Sequence, residues 1–209
     1  MESGAPVTLF DGSGGEYRCV IEATRRDGVT VQVNQHIDRE VESPLQTTLA
    51  QGISRGERMD YTLRKAVELG VSTIQPLFTE YCQVQLKGER LIQRQRHWQG
   101  VANAACEQSG RNRVPEVLTP SRLRDYLPTM PQGLRLLLDP RAETRLTDLT
   151  SSRESIVLFA GPEGGLSQQE IDLLANHGCI GIRLGPRVLR TETAALAALA
   201  VLQNLWGDF

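Results

Sequence analysis

The chain has 209 residues, 40% of them apolar and 23% charged, with a formal net charge of −2. That length suits one sizeable α/β domain plus a small module, and the composition gives no indication of disorder. Near-neutral charge excludes a bulk polycation, so any nucleic-acid contact must come from a local patch.

The first forty residues read as β. "VTLF" runs into the turn-rich "DGSGG", and "EYRCVIEA" then alternates with Tyr17, Cys19, Ile21 and Ala23 on one face. After "RRDG", "VTVQV" alternates through Val29, Val31 and Val33. Three such strands bury too little apolar surface to stand alone. From Leu45 the pattern changes. "LQTTLAQGI" suits a strand, and "GERMDYTLRKAVELG" a helix with Met59, Leu63, Ala66 and Val67 as its stripe and Gly70 as its stop. "VSTIQPLF" is a further strand, followed by a long helix that Gly110 closes. "LRLLLDP", "SIVLFAG" and "CIGIRLG" read as strands buried on both faces. "SRLRDYLP" and "SQQEIDLLANHG" are helical in pattern, and a last helix runs from Thr191 to Trp206 with Thr191 as its N-cap. Alternating strands and helices predict an α/β fold with a mainly parallel sheet.

Cys19, Cys82, Cys106 and Cys179 lie far apart with no metal or redox spacing, and are expected to be reduced, buried thiols. His36, His97 and His177 are isolated and fit surface or helix-end positions. No metal site, signal segment or membrane span is expected, which predicts a cytoplasmic protein.

In parallel sheets ligands bind beyond the carboxyl ends of strands. Three strands here end in loops of unusual composition: "LLLDP", "LFAGPEGGLS" and "IRLGPRVLRTETA". Neither a P-loop nor a G-x-G-x-x-G is present. Glu163 amid the glycines would repel a phosphate and suits a cationic ligand. Thr191 and Glu192 fit a helix start, but Arg187 and Arg190 oppose the helix dipole and point to a functional use. From Lys87 to Arg113 six basic residues face two glutamates, and the loop "SGRNR" offers Arg111 and Arg113 for phosphate contact. Trp98 lies in line with Leu91, Val101 and Ala105 and reads as core; Lys65 and Glu68 read as surface.

Taken together, "GPEGGLSQQEID", "LGPRVLRTETAALAALAVLQ", "RMDYTLRKAVELGVSTIQPL" and "ACEQSGRNRVPEV" resemble the RsmE family, the 16S ribosomal RNA (uracil-N3)-methyltransferases of the SPOUT class. The resemblance spans essentially the whole chain. It implies a SPOUT-type sheet with a C-terminal trefoil knot over residues 44–209, S-adenosylmethionine as cofactor, a homodimer, and 16S rRNA in the 30S subunit as partner. Residues 1–43 would form a PUA-like β-barrel domain for RNA docking. Family members carry further residues ahead of the stretch matching "VTLFDGSGGEY", so this barrel is expected to be incomplete. By the resemblance, cofactor contacts fall on Leu138, Gly161, Pro162, Glu163, Gly164, Gly165, Leu184, Gly185, Val188, Leu189, Arg190, Thr193 and Ala194. Arg190, Glu192 and Glu163 are the catalytic candidates. Either glutamate could take the N3 proton, and Arg190, with Arg111 from a partner subunit, could hold the uracil oxygens. A different base or ribose target, or a non-catalytic RNA-binding assembly factor, are the alternatives.

Overall fold

The computed structural model describes residues 2–150 and 155–209. The chain divides into two compact units: Met1–Glu42 with Cys106–Val114, and Ser43–Ala105 with Pro115–Phe209. The stretch carrying "SGRNR" therefore groups with the first unit, not with the residues that flank it in sequence.

The first unit holds an antiparallel sheet of β1 (Pro6–Leu9), β2 (Glu16–Arg25) and β3 (Gly28–Ile37), in that order. The expected alternation of β2 buries Cys19 and Ile21. In β3 the alternation does not translate into burial. Val29 and Val33 are 51% and 57% exposed, because β3 is the outer strand and only Val31 is partly covered. Residues 106–114 join this unit through backbone bonds, Gly14 N–H to Asn112 O and Val114 N–H to Gly12 O.

The second unit begins with β4 (Thr47–Gly52), α1 (Glu57–Glu68) and β5 (Thr73–Phe78). α2 (Glu89–Ser109) follows, its last residues belonging to the first unit. Then come β6 (Glu116–Val117), β7 (Ser121–Arg122), α3 (Leu123–Tyr126), β8 (Leu134–Leu138) and β9 (Ile156–Ala160). α4 (Gln168–Asn176), β10 (Ile180–Ile182) and α5 (Thr191–Trp206) complete it. The expected helix in "SRLRDYLP" shrinks to the single turn α3, continued as a 3-10 turn through Pro128, a residue with no N–H to extend an α-helix.

The seven strands pair entirely in parallel, in the order β10-β8-β9-β4-β5-β6 with β7 also on β5. β4 and β9 lie at the centre and every residue of both is buried; β9 is apolar throughout, as burial on both faces favours, whereas β4 also buries Thr47, Thr48 and Gln51. Met59, Leu63, Ala66 and Val67 of α1 are buried as their helical spacing predicts. Trp98 is 2% exposed, and its indole N–H donates to Asp60 at 3.1 Å, so it belongs to the core. α5 packs on α1, where fully buried Gln203 accepts from Ser43 Oγ at 2.6 Å and donates to Leu69 O at 3.1 Å. Gly70 has φ +78°, and a Cβ there would stand 2.6 Å from Gln203 Nε2, so this stop position admits only glycine. Cys19, Cys106 and Cys179 are buried free thiols, and Cys82 is half-buried.

From β10 at the sheet edge the chain returns to the centre, where the Thr191 hydroxyl contacts Gly161 O. This return sets the two Gly-rich loops side by side, as the expected SPOUT arrangement requires. Among the described residues no helix is long and apolar enough to cross a membrane, and no His, Cys, Asp and Glu cluster could hold a metal.

Candidate functional site

Because β10, β8, β9 and β4 are successive neighbours running in one direction, their carboxyl ends lie together. The loops leaving β8, β9 and β10 enclose a cavity of about 470 Å³, inside the roughly 300–1,000 Å³ range of small-molecule sites. Leu138, Gly161, Pro162, Glu163, Gly164 and Gly165 form one side. Leu184, Gly185, Val188, Leu189, Arg190 and Ala194 form the other, with Glu192 beside them. Thr193, expected at the cofactor, is instead exposed and off this wall, because the first turn of α5 directs it outward.

The backbone shapes the cavity. Gly165 and Gly185 have φ of +73° and +78°, and a Cβ at either would meet no atom within 4 Å. These two glycines leave main chain bare toward open space, a cradle that side chains would fill. Gly161 is different: a Cβ there would lie 2.8 Å from Gly165 C, so the loop folds tightly on itself.

Thr191 does not cap α5. Arg190 occupies the cap position with extended backbone and no side-chain cap bond, and Thr191 is the first helical residue. Its hydroxyl contacts Gly161 O and accepts from Gln51 Nε2 at 3.1 Å. Gln51 also donates to Gly161 O at 3.2 Å. The end of β4 thus ties both loops together, a role that no local pattern around Gln51 announced.

Glu163 does not confront the cavity as a bare charge. Its Oε1 accepts the Arg55 N–H at 3.0 Å and Arg58 Nη1 at 3.0 Å. Burial pushes the carboxyl upward, but the Arg55 N–H, its own N–H and the Arg58 guanidinium outweigh that and hold it below the ordinary range. The attraction for a cationic ligand expected of Glu163 is therefore largely answered by Arg58. Sequence reasoning missed Arg58, which also lines the cavity. The usable signal was the loop "ISRGER" at the carboxyl end of β4, a fourth strand end with a Gly and two Arg. Asp139, another wall residue, is occupied by Arg141 at 3.1 Å. Among the described residues, Arg183 and Arg187 complete a wall of four arginines and three carboxylates.

The two arginines expected to contact RNA lie in the first unit and differ from each other. Arg111 is only 7% exposed, with Nε 3.0 Å from Glu42 Oε1 and Nη2 on Glu42 Oε2. Gly110, at φ +74°, turns the chain after α2 and delivers Arg111 into this largely buried pair with Glu42. Arg113 is 54% exposed and reaches Glu40 at 3.1 Å.

A family model for the RNA methyltransferase domain matches residues 41–203. Ribosomal RNA small subunit methyltransferase E of Buchnera aphidicola subsp. Schizaphis graminum is 39% identical over 171 residues, 81% of this chain and 70% of that protein. Its counterpart from Mycobacterium tuberculosis is 32% identical over 215 residues, 99% of this chain and 82% of the other. Among solved structures, ribosomal RNA small subunit methyltransferase E from Neisseria gonorrhoeae, bound to S-adenosyl methionine, superposes with a TM-score of 0.96. That match has 42% identity and covers 100% of this chain and 87% of the other. A Legionella pneumophila protein solved with SAM as bound cofactor gives the same score and identity over 100% and 86% of the two chains.

Proposed function

The chain belongs to the ribosomal RNA small subunit methyltransferase E family, and on that premise we propose that it transfers a methyl group from S-adenosylmethionine to N3 of a uridine in 16S rRNA of the 30S subunit. The observation that carries the reading is the cavity itself. Three strand-end loops converge on it, and Gly165 and Gly185 expose main chain to it. Bare backbone N–H and C=O groups suit the adenosine and the amino-acid portion of such a cofactor. The cofactor supplies a methyl group already activated on a sulfonium, so the chemistry calls for no metal.

The residues then have separable tasks. Main chain at Leu138, Gly161, Gly165, Leu184, Gly185 and Leu189 holds the cofactor, which places most of the rate gain in positioning. Pro162, Gly164, Val188 and Ala194 shape the wall around it. Arg190, exposed at the start of α5, faces the base and stabilises negative charge on its oxygens. Glu192, half-buried on the wall, takes the N3 proton. Glu163, already accepting from Arg55 and Arg58, holds the loop rather than a proton.

The reading includes a cytoplasmic homodimer. Ala197, Ala200, Val201 and Leu205 leave a partly exposed apolar strip on α5, which supports a second copy there. The first unit, with Arg113 exposed on it, would dock RNA. Calorimetry with S-adenosylmethionine and RNA-binding measurements on Arg190→Ala test the assignment. Lost transfer with both affinities intact identifies an enzyme, whereas transfer equal to wild type takes the base contact away from Arg190.

A further inference from the structure

Arg58 stands in the first turn of α1, and its side chain is 50% exposed on the cavity wall. A long side chain so exposed would ordinarily sample many rotamers. Here one nitrogen is fixed: Nη1 lies 3.0 Å from Glu163 Oε1. Glu163 is itself anchored, since the same oxygen accepts the Arg55 N–H at 3.0 Å. A rigid planar guanidinium held by one nitrogen keeps its remaining N–H groups aimed. Among the described residues, none of those other groups makes a hydrogen bond. Of the four arginines on this wall, Arg58 is also the one tethered to a carboxylate among the described residues.

An aimed, half-exposed set of donors is suited to an acceptor that arrives from solvent. Methylation at N3 develops such an acceptor. The N3 proton goes to a carboxylate and the negative charge spreads over the two carbonyl oxygens of the base. The N3 electron pair then forms the new N–C bond, and the pair of the breaking S–C bond leaves on sulfur. A donor that meets charge only as it develops stabilises the transition state more than the ground state. The carboxylate of the bound cofactor is the poorer occupant, because it would bring a second fixed negative charge beside Glu163.

We propose that Arg58, oriented by Glu163, donates to a carbonyl oxygen of the target uracil and stabilises the base as N3 loses its proton. This rests on the uridine reading above.

The test compares wild type, Arg58→Ala, Arg58→Gln and the double variant Arg58→Ala/Glu163→Gln. Turnover into 3-methyluridine is measured on unmodified 30S subunits with saturating S-adenosylmethionine, at neutral and at mildly alkaline pH. Cofactor affinity is measured separately by calorimetry. Both single variants are expected to lose about 100-fold in kcat at neutral pH, the size of one lost oxyanion donor, with cofactor affinity unchanged. The deficit should shrink at alkaline pH, where the imide ionises without help, and Glu163→Gln should not restore it. Recovery in the double variant would trace the loss to an uncompensated Glu163 and overturn the proposal. So would a deficit independent of pH, or a fall in cofactor affinity matching the fall in rate. If wild type itself forms no 3-methyluridine, the proposal and the uridine reading beneath it fail together. Arg58→Gln keeps the test decisive should the alanine variant not fold.

Discussion

Gln51 Nε2 lies 3.1 Å from Thr191 Oγ1 across 140 residues of sequence, and this contact joins the central strand to the start of the last helix. The same nitrogen reaches Gly161 O at 3.2 Å, so one buried amide organises both Gly-rich loops. Thr191→Val keeps the shape and removes the hydroxyl, so Gln51 Nε2 and Gly161 O each lose one partner while keeping their bond to each other. The expected loss is about 0.5–1.5 kcal/mol, read from urea unfolding, with cofactor affinity about tenfold weaker by calorimetry. Unchanged affinity would show that this junction does not set the cavity.

Gly52 makes a second, sterically determined prediction. A Cβ there would stand 2.5 Å from both the Pro162 ring and its backbone nitrogen. Neither can yield without moving the loop, so Gly52→Ala should destabilise by about 1–3 kcal/mol and weaken cofactor binding. Gly100, inside α2, has no atom within 4 Å of its would-be Cβ. Gly100→Ala should instead stabilise by about 0.5–1 kcal/mol through helix propensity. Thermal unfolding of the two variants checks the contrast in sign.

Arg111 and Arg113, two residues apart, should respond oppositely. Arg111→Ala leaves the half-buried Glu42 without its guanidinium, with an expected destabilisation of about 1–3 kcal/mol. Arg113→Ala should change stability by no more than about 0.5 kcal/mol. On the proposed RNA-docking role, it lowers the steepness of salt dependence in RNA binding by about one phosphate contact. Denaturant titration and binding at several salt concentrations separate the two.

The buried thiols imply a pH window for stability. Burial pushes Cys106 and Cys179 from 9.0 up to about 11 each. Above pH 9.0 the unfolded thiols release protons that the folded ones retain, so the unfolded state binds fewer protons and stability falls as pH rises. The decline should continue to about pH 11 and then level off. Cys106→Ala/Cys179→Ala should show a shallower decline over the same interval in chemical unfolding.

Much of this site is local in sequence and could be read there. "GPEGG" and "LGPRVLRTETA" carry glycines and charges in excess of what turns need, and both loops do line the cavity. The sheet was legible for a related reason: β9, buried on both faces, is apolar throughout, and the stripe of α1 follows its helical spacing into the core. What could not be read depends on distant partners. Glu42 lies 69 residues from Arg111, so their pairing is invisible to local composition and an apparent surface arginine became a buried one. Arg58 meets Glu163 across 105 residues, and the amphipathic pattern of α1 drew attention to its buried stripe instead. Thr191 looked like a cap because Thr before a helix usually is one; the neighbouring Gly161 carbonyl took its hydroxyl instead. Val29 and Val33 follow a strand period that reports alternation but not whether the outward face is covered.

The most direct test of the account is to incubate the protein with S-adenosylmethionine and unmodified 30S subunits, digest the 16S rRNA, and quantify methylated nucleosides by mass spectrometry. 3-Methyluridine is expected at a single position, approaching one per subunit. Methylation at another base or at a ribose, or none despite bound cofactor, would contradict it.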